Sequence, residues 1–188
     1  MTTTTGARHL TTAELEAGLE HIRQSPQDNG VLVMIVRRPA VDEREVLTEG
    51  RLDTEMGLIG DTWKERGSSR MADGSAHPDM QLNIMNARTI ALIAPEKEHW
   101  PLAGDQLYID LDLSEANLPP GTQLTIGSAI VEVTAQPHTG CKKFAARFGA
   151  DAVKFVNSSE GKALHLRGIN AKVVQSGVIE AGDKVTRL

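Results

Sequence analysis

Six consecutive apolar residues, Val31-Leu32-Val33-Met34-Ile35-Val36, lie between Gly30 and Pro39. A β-prone run bounded by turn formers predicts a buried strand. Farther on, Gln106 to Leu113 alternates, with Leu107, Ile109, Leu111 and Leu113 on one face, which is the two-residue period of a strand. Leu124–Ile126 and Ala129–Val133 read as two strands around the tight connection Gly127-Ser128. Gln81–Met85, residues 171–179 and residues 184–188 carry the same signal. Residues 43–52 alternate more loosely and continue a sheet. Residues 87–94 fit a short helix or a strand.

Helical periodicity is confined to short segments. Thr11-Thr12-Ala13-Glu14 is a capping box, flanked by Leu10 and Leu15 at hydrophobic-staple positions. Leu15, Leu19 and Ile22 then share a helical face, and Ser25-Pro26 ends it because the residue before proline leaves the helical region. Phe144 and Phe148 stand four apart before Gly149, a helix-ending glycine, and a second short helix is expected over 151–156. Residues 1–9 read as a frayed tail. Residues 63–79 are polar and rich in Gly and Ser, a long loop that is either functional or mobile. The fold class that follows is mainly β. It is a closed or partly closed β barrel with a few short peripheral helices and an N-terminal helix. Residues 1–29 form the tail and the helix packed on the barrel, and 30–188 the barrel domain, with no repeat or linker between them.

Composition narrows the function. A chain of 188 residues with 40% hydrophobic content supports one domain with its own core. Aromatics at 3% are poor material for stacking bases, and a net charge of -5 argues against a general nucleic-acid footprint. No apolar run reaches the ~20 residues a bilayer span needs, so neither nucleic acid nor membrane is an expected partner. The N-terminus lacks the basic and apolar regions of a signal peptide. With one cysteine, this fits a reducing, cytoplasmic setting.

That cysteine, Cys141, carries the sharpest chemistry. Alone, it forms neither an internal disulfide nor a multi-cysteine zinc site. Lys142 and Lys143 follow and a helix starts beside it, both of which favour thiolate over thiol, and Gly140 before it marks a polar, accessible turn. A thiolate there can attack an electrophile, carry sulfur or ligate a soft metal. The bland alternative is a buried packing thiol. His138 is a candidate general base for Cys141, or else a partly exposed turn histidine. Lys142, Lys143, Arg147 and Arg167, with Arg70 and Arg88 upstream, hold phosphates if they converge, since arginine binds such groups bidentately; singly, each is a solvated cation. Gly57-Leu58-Ile59-Gly60-Asp61 is not a dinucleotide fingerprint; it reads as a tight turn in which Asp61 caps backbone amides.

Taken in order, these pieces resemble the MOSC domain family, named for the C-terminal domain of molybdenum cofactor sulfurases. The carriers are Gly57-Leu58-Ile59-Gly60-Asp61, Gln81, Gly104-Asp105-Gln106-Leu107, Ile126-Gly127, Ile130-Val131-Glu132-Val133-Thr134, Cys141, Arg167-Gly168 and Gly177-Val178-Ile179 with Gly182-Asp183. They run from about Glu45 to Leu188 and leave the N-terminal helix outside. The resemblance implies a β-rich barrel with a pocket in which Cys141 ligates the molybdenum of a pterin cofactor or bears a transferable sulfur. Lys142, Lys143, Arg147 and Arg167 would contact the cofactor's anionic part, and Asp61 would shape the pocket mouth. It further implies reduction of N-hydroxylated small molecules with electrons from a separate redox partner. The alternatives are a cofactor or sulfur carrier without turnover, and a structural barrel whose site has decayed. Gly140 stands where the family often has proline, and Thr62-Trp63-Lys64-Glu65-Arg66 replaces a histidine-containing segment.

Overall fold

The structure is a computed structural model that describes residues 8–188, so residues 1–7 of the expected tail lie outside the described residues. Eleven strands follow in chain order: β1 Gly30–Arg37, β2 Glu45–Leu47, β3 Glu49–Asp53, β4 Gly57–Leu58, β5 Leu82–Asn86, β6 Leu107–Asp110, β7 Gln123–Ile126, β8 Ala129–Val133, β9 Ile169–Gln175, β10 Gly177–Glu180 and β11 Lys184–Arg187. Seven of them close a ring, β1-β11-β7-β8-β9-β5-β6 and back to β1. Every pairing around it is antiparallel except β5 with β6. A parallel pair needs a crossover connection, supplied here by helix α4 (Ala87–Ile93) and a 3₁₀ segment at Lys97–Ala103. β2 extends the ring from β1, and β10, β3 and β4 form a separate three-stranded sheet. This is the expected barrel.

The ring has a filled interior and a partly covered outer face. Leu32, Ile35, Leu82, Ile84, Leu107, Ile109, Leu124, Val131 and Val173 belong to the inner cluster. Met34, Val36, Met85 and Tyr108 point the other way, into a second cluster with the helices. β1 is therefore apolar from Leu32 to Val36 because both faces are covered there, while Val31 stays exposed, and its register shifts between Leu32 and Met34. The four alternating residues Leu107, Ile109, Leu111 and Leu113 all reach the inner cluster, although the strand itself ends at Asp110.

The outer layer consists of short helices: α1 (Thr12–Ala17), α2 (Leu19–Arg23), α3 (Trp63–Arg66), α4, α5 (Lys142–Phe148), α6 (Ala150–Asn157) and α7 (Ser159–Ala163). The capping box of α1 forms as expected between Thr11 and Glu14. The first helix breaks at Gly18, where a Cβ would lie 2.4 Å from Leu92 Cδ1, so α4 sits against the break. α3 and the turn at Pro78–Met80 give the long polar loop short helical ends. Residues 87–94 settle as helix because Asn86 caps the amides of Arg88 and Thr89. No helix is long and apolar enough to cross a membrane among the described residues.

Candidate functional site

Cys141 is the N-cap residue of α5, and the helix is anchored behind it by Phe144 and Phe148, both buried with ring centroids 4.9 Å apart. Gly140 is clamped by α6: its N–H donates to Asn157 Oδ1 at 2.8 Å, and Asn157 Nδ2 donates to its carbonyl at 2.9 Å. A Cβ at Gly140 would stand 3.0 Å from Val156 Cγ2. The clamp uses an N–H that proline lacks, which gives Gly140 a local reason for its identity. The thiol so held is exposed.

Burial acts to raise the Cys141 pKa, but it is outweighed. The N–H groups of Phe144 and Lys143 and the charges of Arg167 and Lys143 hold the thiol below its ordinary value. Sγ makes no capping hydrogen bond of ordinary geometry, so the amides act at longer range through the helix start. Cys141 lines a hollow of about 300 Å³ together with Arg38, Arg44, Arg66, Lys143, Arg147 and Arg167. This is the low end of the ~300–1,000 Å³ typical of small-molecule sites. The loop after β1, α3, α5 and the turns before β6 and β9 all contribute to its wall.

Two buried carboxylates fix two of these cations. Asp61 takes Arg38 bidentately, with Arg38 Nε to Oδ2 at 2.8 Å and Nη2 to Oδ1 at 2.7 Å, and it also accepts from the Trp63 amide. The turn at Gly60, with φ of 84°, brings Asp61 to this position. Asp105 accepts from Arg167 Nη1 at 2.7 Å and pairs with His138 Nε2 at 3.0 Å. Burial opposes the ionisation of both acids, yet Arg38 for Asp61, and Arg167 with His138 for Asp105, bring each carboxyl below its ordinary value. Gln106, next to Asp105, donates to Asp61 Oδ1 at 3.5 Å and to the Gln81 carbonyl at 3.1 Å, and accepts from the Asn83 amide at 2.8 Å.

The remaining cations are poorly neutralised. Arg44 is pushed below its ordinary pKa by burial and then by Arg147 and Arg38, and Arg66 by burial and Arg38. Arg147 donates Nη1–H to the Leu102 carbonyl at 2.6 Å, and its one carboxylate partner among the described residues is the exposed Asp42, at 3.8 Å. Arg167, though paired with Asp105, keeps a buried Nε without a partner among the described residues, while its guanidinium carbon lies 4.8 Å from the Phe144 ring centre. Such a crowd favours an anion, because each guanidinium raises the others' free energy until negative charge arrives.

Of the residues singled out in the sequence, the hollow gathers Cys141, Lys143, Arg147 and Arg167. Lys142 is exposed and outside its wall, and Asp61 acts from behind Arg38 rather than at the mouth. His138 makes no hydrogen bond to Cys141; its Nε2 is engaged by Asp105. Arg70 bonds Gln136, and Arg88 bonds Asp110, both away from the hollow. Arg38, Arg44 and Arg66 escaped the sequence reading. Arg66 alone had a signal, since it ends the segment that replaces the family's histidine stretch.

The MOSC domain family model matches residues 73–186. Among solved structures, the YuaD protein from Bacillus subtilis is similar at 15% identity and a TM-score of 0.62, covering 85% of this chain and 95% of that one. YiiM from Escherichia coli is 21% identical with a TM-score of 0.56, covering 84% of this chain and 69% of that one. YiiM from Geobacillus stearothermophilus is 17% identical with a TM-score of 0.55, over 85% and 75%. At these identities the likeness speaks to the fold. No curated protein matches the sequence.

Proposed function

Because the chain belongs to the MOSC domain family, we propose that it binds a molybdenum cofactor, with Cys141 as the soft ligand. The observation that carries this reading is the convergence of six cations and one exposed thiol, its pKa held below the ordinary value, on a single hollow. The residues fit the group on their own chemistry. Thiolate suits molybdenum, and guanidinium forks suit the phosphate of a pterin. Arg167 Nε is a buried donor with no acceptor among the described residues, so this guanidinium is not fully satisfied by the protein. In this reading Arg44, Arg66, Lys143 and Arg147 neutralise the anionic part. Arg38 and Arg167, fixed by Asp61 and Asp105, orient it, and the Asn157 clamp holds Cys141 in place.

When bound, the cofactor would supply two-electron chemistry for an N-hydroxylated small molecule: two electrons and two protons cleave N–O and release the amine and water. The electrons would come from a separate redox protein. Carriage of sulfur on Cys141 without turnover is the second reading, and the exposure of the thiol favours it. Exposure and a lowered pKa both speak against a decayed, merely structural site.

The test is molybdenum content. Protein made in a cofactor-competent host should retain molybdenum, and Cys141→Ala should lose most of it. Equal molybdenum in the two would sink the ligand role. A persulfide trapped on Cys141 without consumption of hydroxylamine-type substrates would favour the carrier.

A further inference from the structure

A second cavity, of about 370 Å³, plays no part in the cofactor reading. Two hydrogen-bonded bridges link its wall to that of the cysteine hollow. Asn83 Nδ2 donates to Asn170 Oδ1 at 2.6 Å, and His138 reaches Arg167 through Asp105. Val133, Pro137 and Ile169 give the cavity apolar wall, and Glu115 and Lys162 are its exposed charged residues.

The outer partner of each of its two histidines fixes which ring nitrogen donates. His138 turns Nε2 to the Asp105 carboxylate at 3.0 Å, and His165 turns Nδ1 to the Leu113 carbonyl at 2.7 Å. An ionised carboxylate and a carbonyl only accept, so each contacted nitrogen carries the proton. The other nitrogen, His138 Nδ1 or His165 Nε2, keeps its lone pair when the ring is neutral. Burial and Arg167 hold the His138 pKa below its ordinary value, which favours the neutral ring. Among the described residues neither free nitrogen has a hydrogen-bond partner, and neither is an enclosed, unpartnered atom. Both rings line the cavity.

Two ring nitrogens that accept while their rings are neutral call for donors. A metal ion would need further ligands, and no group of three His, Cys, Asp or Glu side chains is placed to hold one among the described residues. We propose that this cavity is a second binding site, for a small flat compound that turns an N–H donor edge, an amidine or an aminated ring, toward His138 and His165. Glu115 carries the counter-charge for a cationic edge. Lys162, unpaired among the described residues, serves an acceptor at the ligand's outer end. The apolar wall takes the face of the ring. The site stands independently of whether the neighbouring hollow holds a cofactor.

The probe is benzamidine, with benzoate as the size-matched compound that only accepts. Titrated into the full chain, benzamidine should saturate at one equivalent and shift the ring signals of His138 and His165 in NMR spectra. Benzoate should leave those signals unmoved. Glu115→Gln, an exposed change that keeps shape, should weaken benzamidine about tenfold, the loss of one charge-assisted contact. His165→Asn should also weaken it; asparagine tolerates the left-handed backbone that His165 adopts at φ 49°, and a thermal melt checks its fold. Shifts that never saturate, equal shifts with benzoate, or undiminished binding in both variants would each overturn the proposal.

Discussion

At the scale of single residues, Cys141 is governed by what stands near it. The thiol titrates low because helix amides, Arg167 and Lys143 outweigh burial. Its labelling rate by a thiol reagent should therefore reach half-maximum at a lower pH than that of a free cysteine near ~8.5. Lys143→Gln should move that midpoint upward without unfolding the chain, because Lys143 is exposed; an unmoved midpoint would discount its charge. Asp61 is the opposite case, wholly enclosed with Arg38. Its folded pKa is lowered below the ordinary 3.8. The unfolded chain thus takes up a proton first as pH falls, and the stabilisation, present above that value, is lost as pH drops through the folded pKa. Asp61→Asn should cost about 3–5 kcal/mol at neutral pH, since it strands a buried guanidinium. The cost should shrink in urea titrations run below about pH 4. Cys141 and Arg167 were legible in the sequence as chemistry. Arg38, Arg44 and Arg66 were not, because an arginine in a loop looks the same whether it faces solvent or a shared hollow.

At the scale of elements, sequence signals that act locally were reliable. The α1 capping box and the covered face of residues 107–113 depend on neighbours within a few positions, and both are realised. Long-range contacts escaped. Nothing in the α6 sequence announces that Asn157, at its last turn, holds Gly140 seventeen residues earlier. Asn157→Ala should lower stability by about 1–2 kcal/mol, from two lost hydrogen bonds. It should also speed amide exchange at Gly140 and Cys141 before it affects the barrel. Protection at Gly140 equal to wild type would mean that α6 does not set the position of the thiol. The 3₁₀ segment Lys97–Ala103 was likewise unreadable: Pro101 lies inside it, and Trp100 is held by donating Nε1–H to the Ala94 carbonyl at 3.0 Å.

At the scale of the whole molecule, the net charge of -5 hides a local excess of the opposite sign. A ligand that binds only the folded state stabilises it by mass action. Inorganic pyrophosphate should raise the thermal midpoint of the protein, and Arg44→Gln with Arg66→Gln should abolish the rise. Sodium chloride should diminish it, because screening acts on the exposed part of the hollow. A rise of the same size in the double variant would separate the anion site from these guanidiniums. The sequence by itself determined the strand-rich texture, the glycine turns, the helix caps and the chemical promise of one thiol among cations. These follow from backbone propensity, periodicity and side-chain chemistry, all short in range along the chain. Only the tertiary structure decided which cations share Cys141's hollow, that Asp61 and Asp105 sit behind arginines, and that His138 turns to Asp105 instead of the thiol. Closure of the barrel between β1 and β11 joins residues far apart in the chain, and the pairing of buried charges follows from the space that closure leaves.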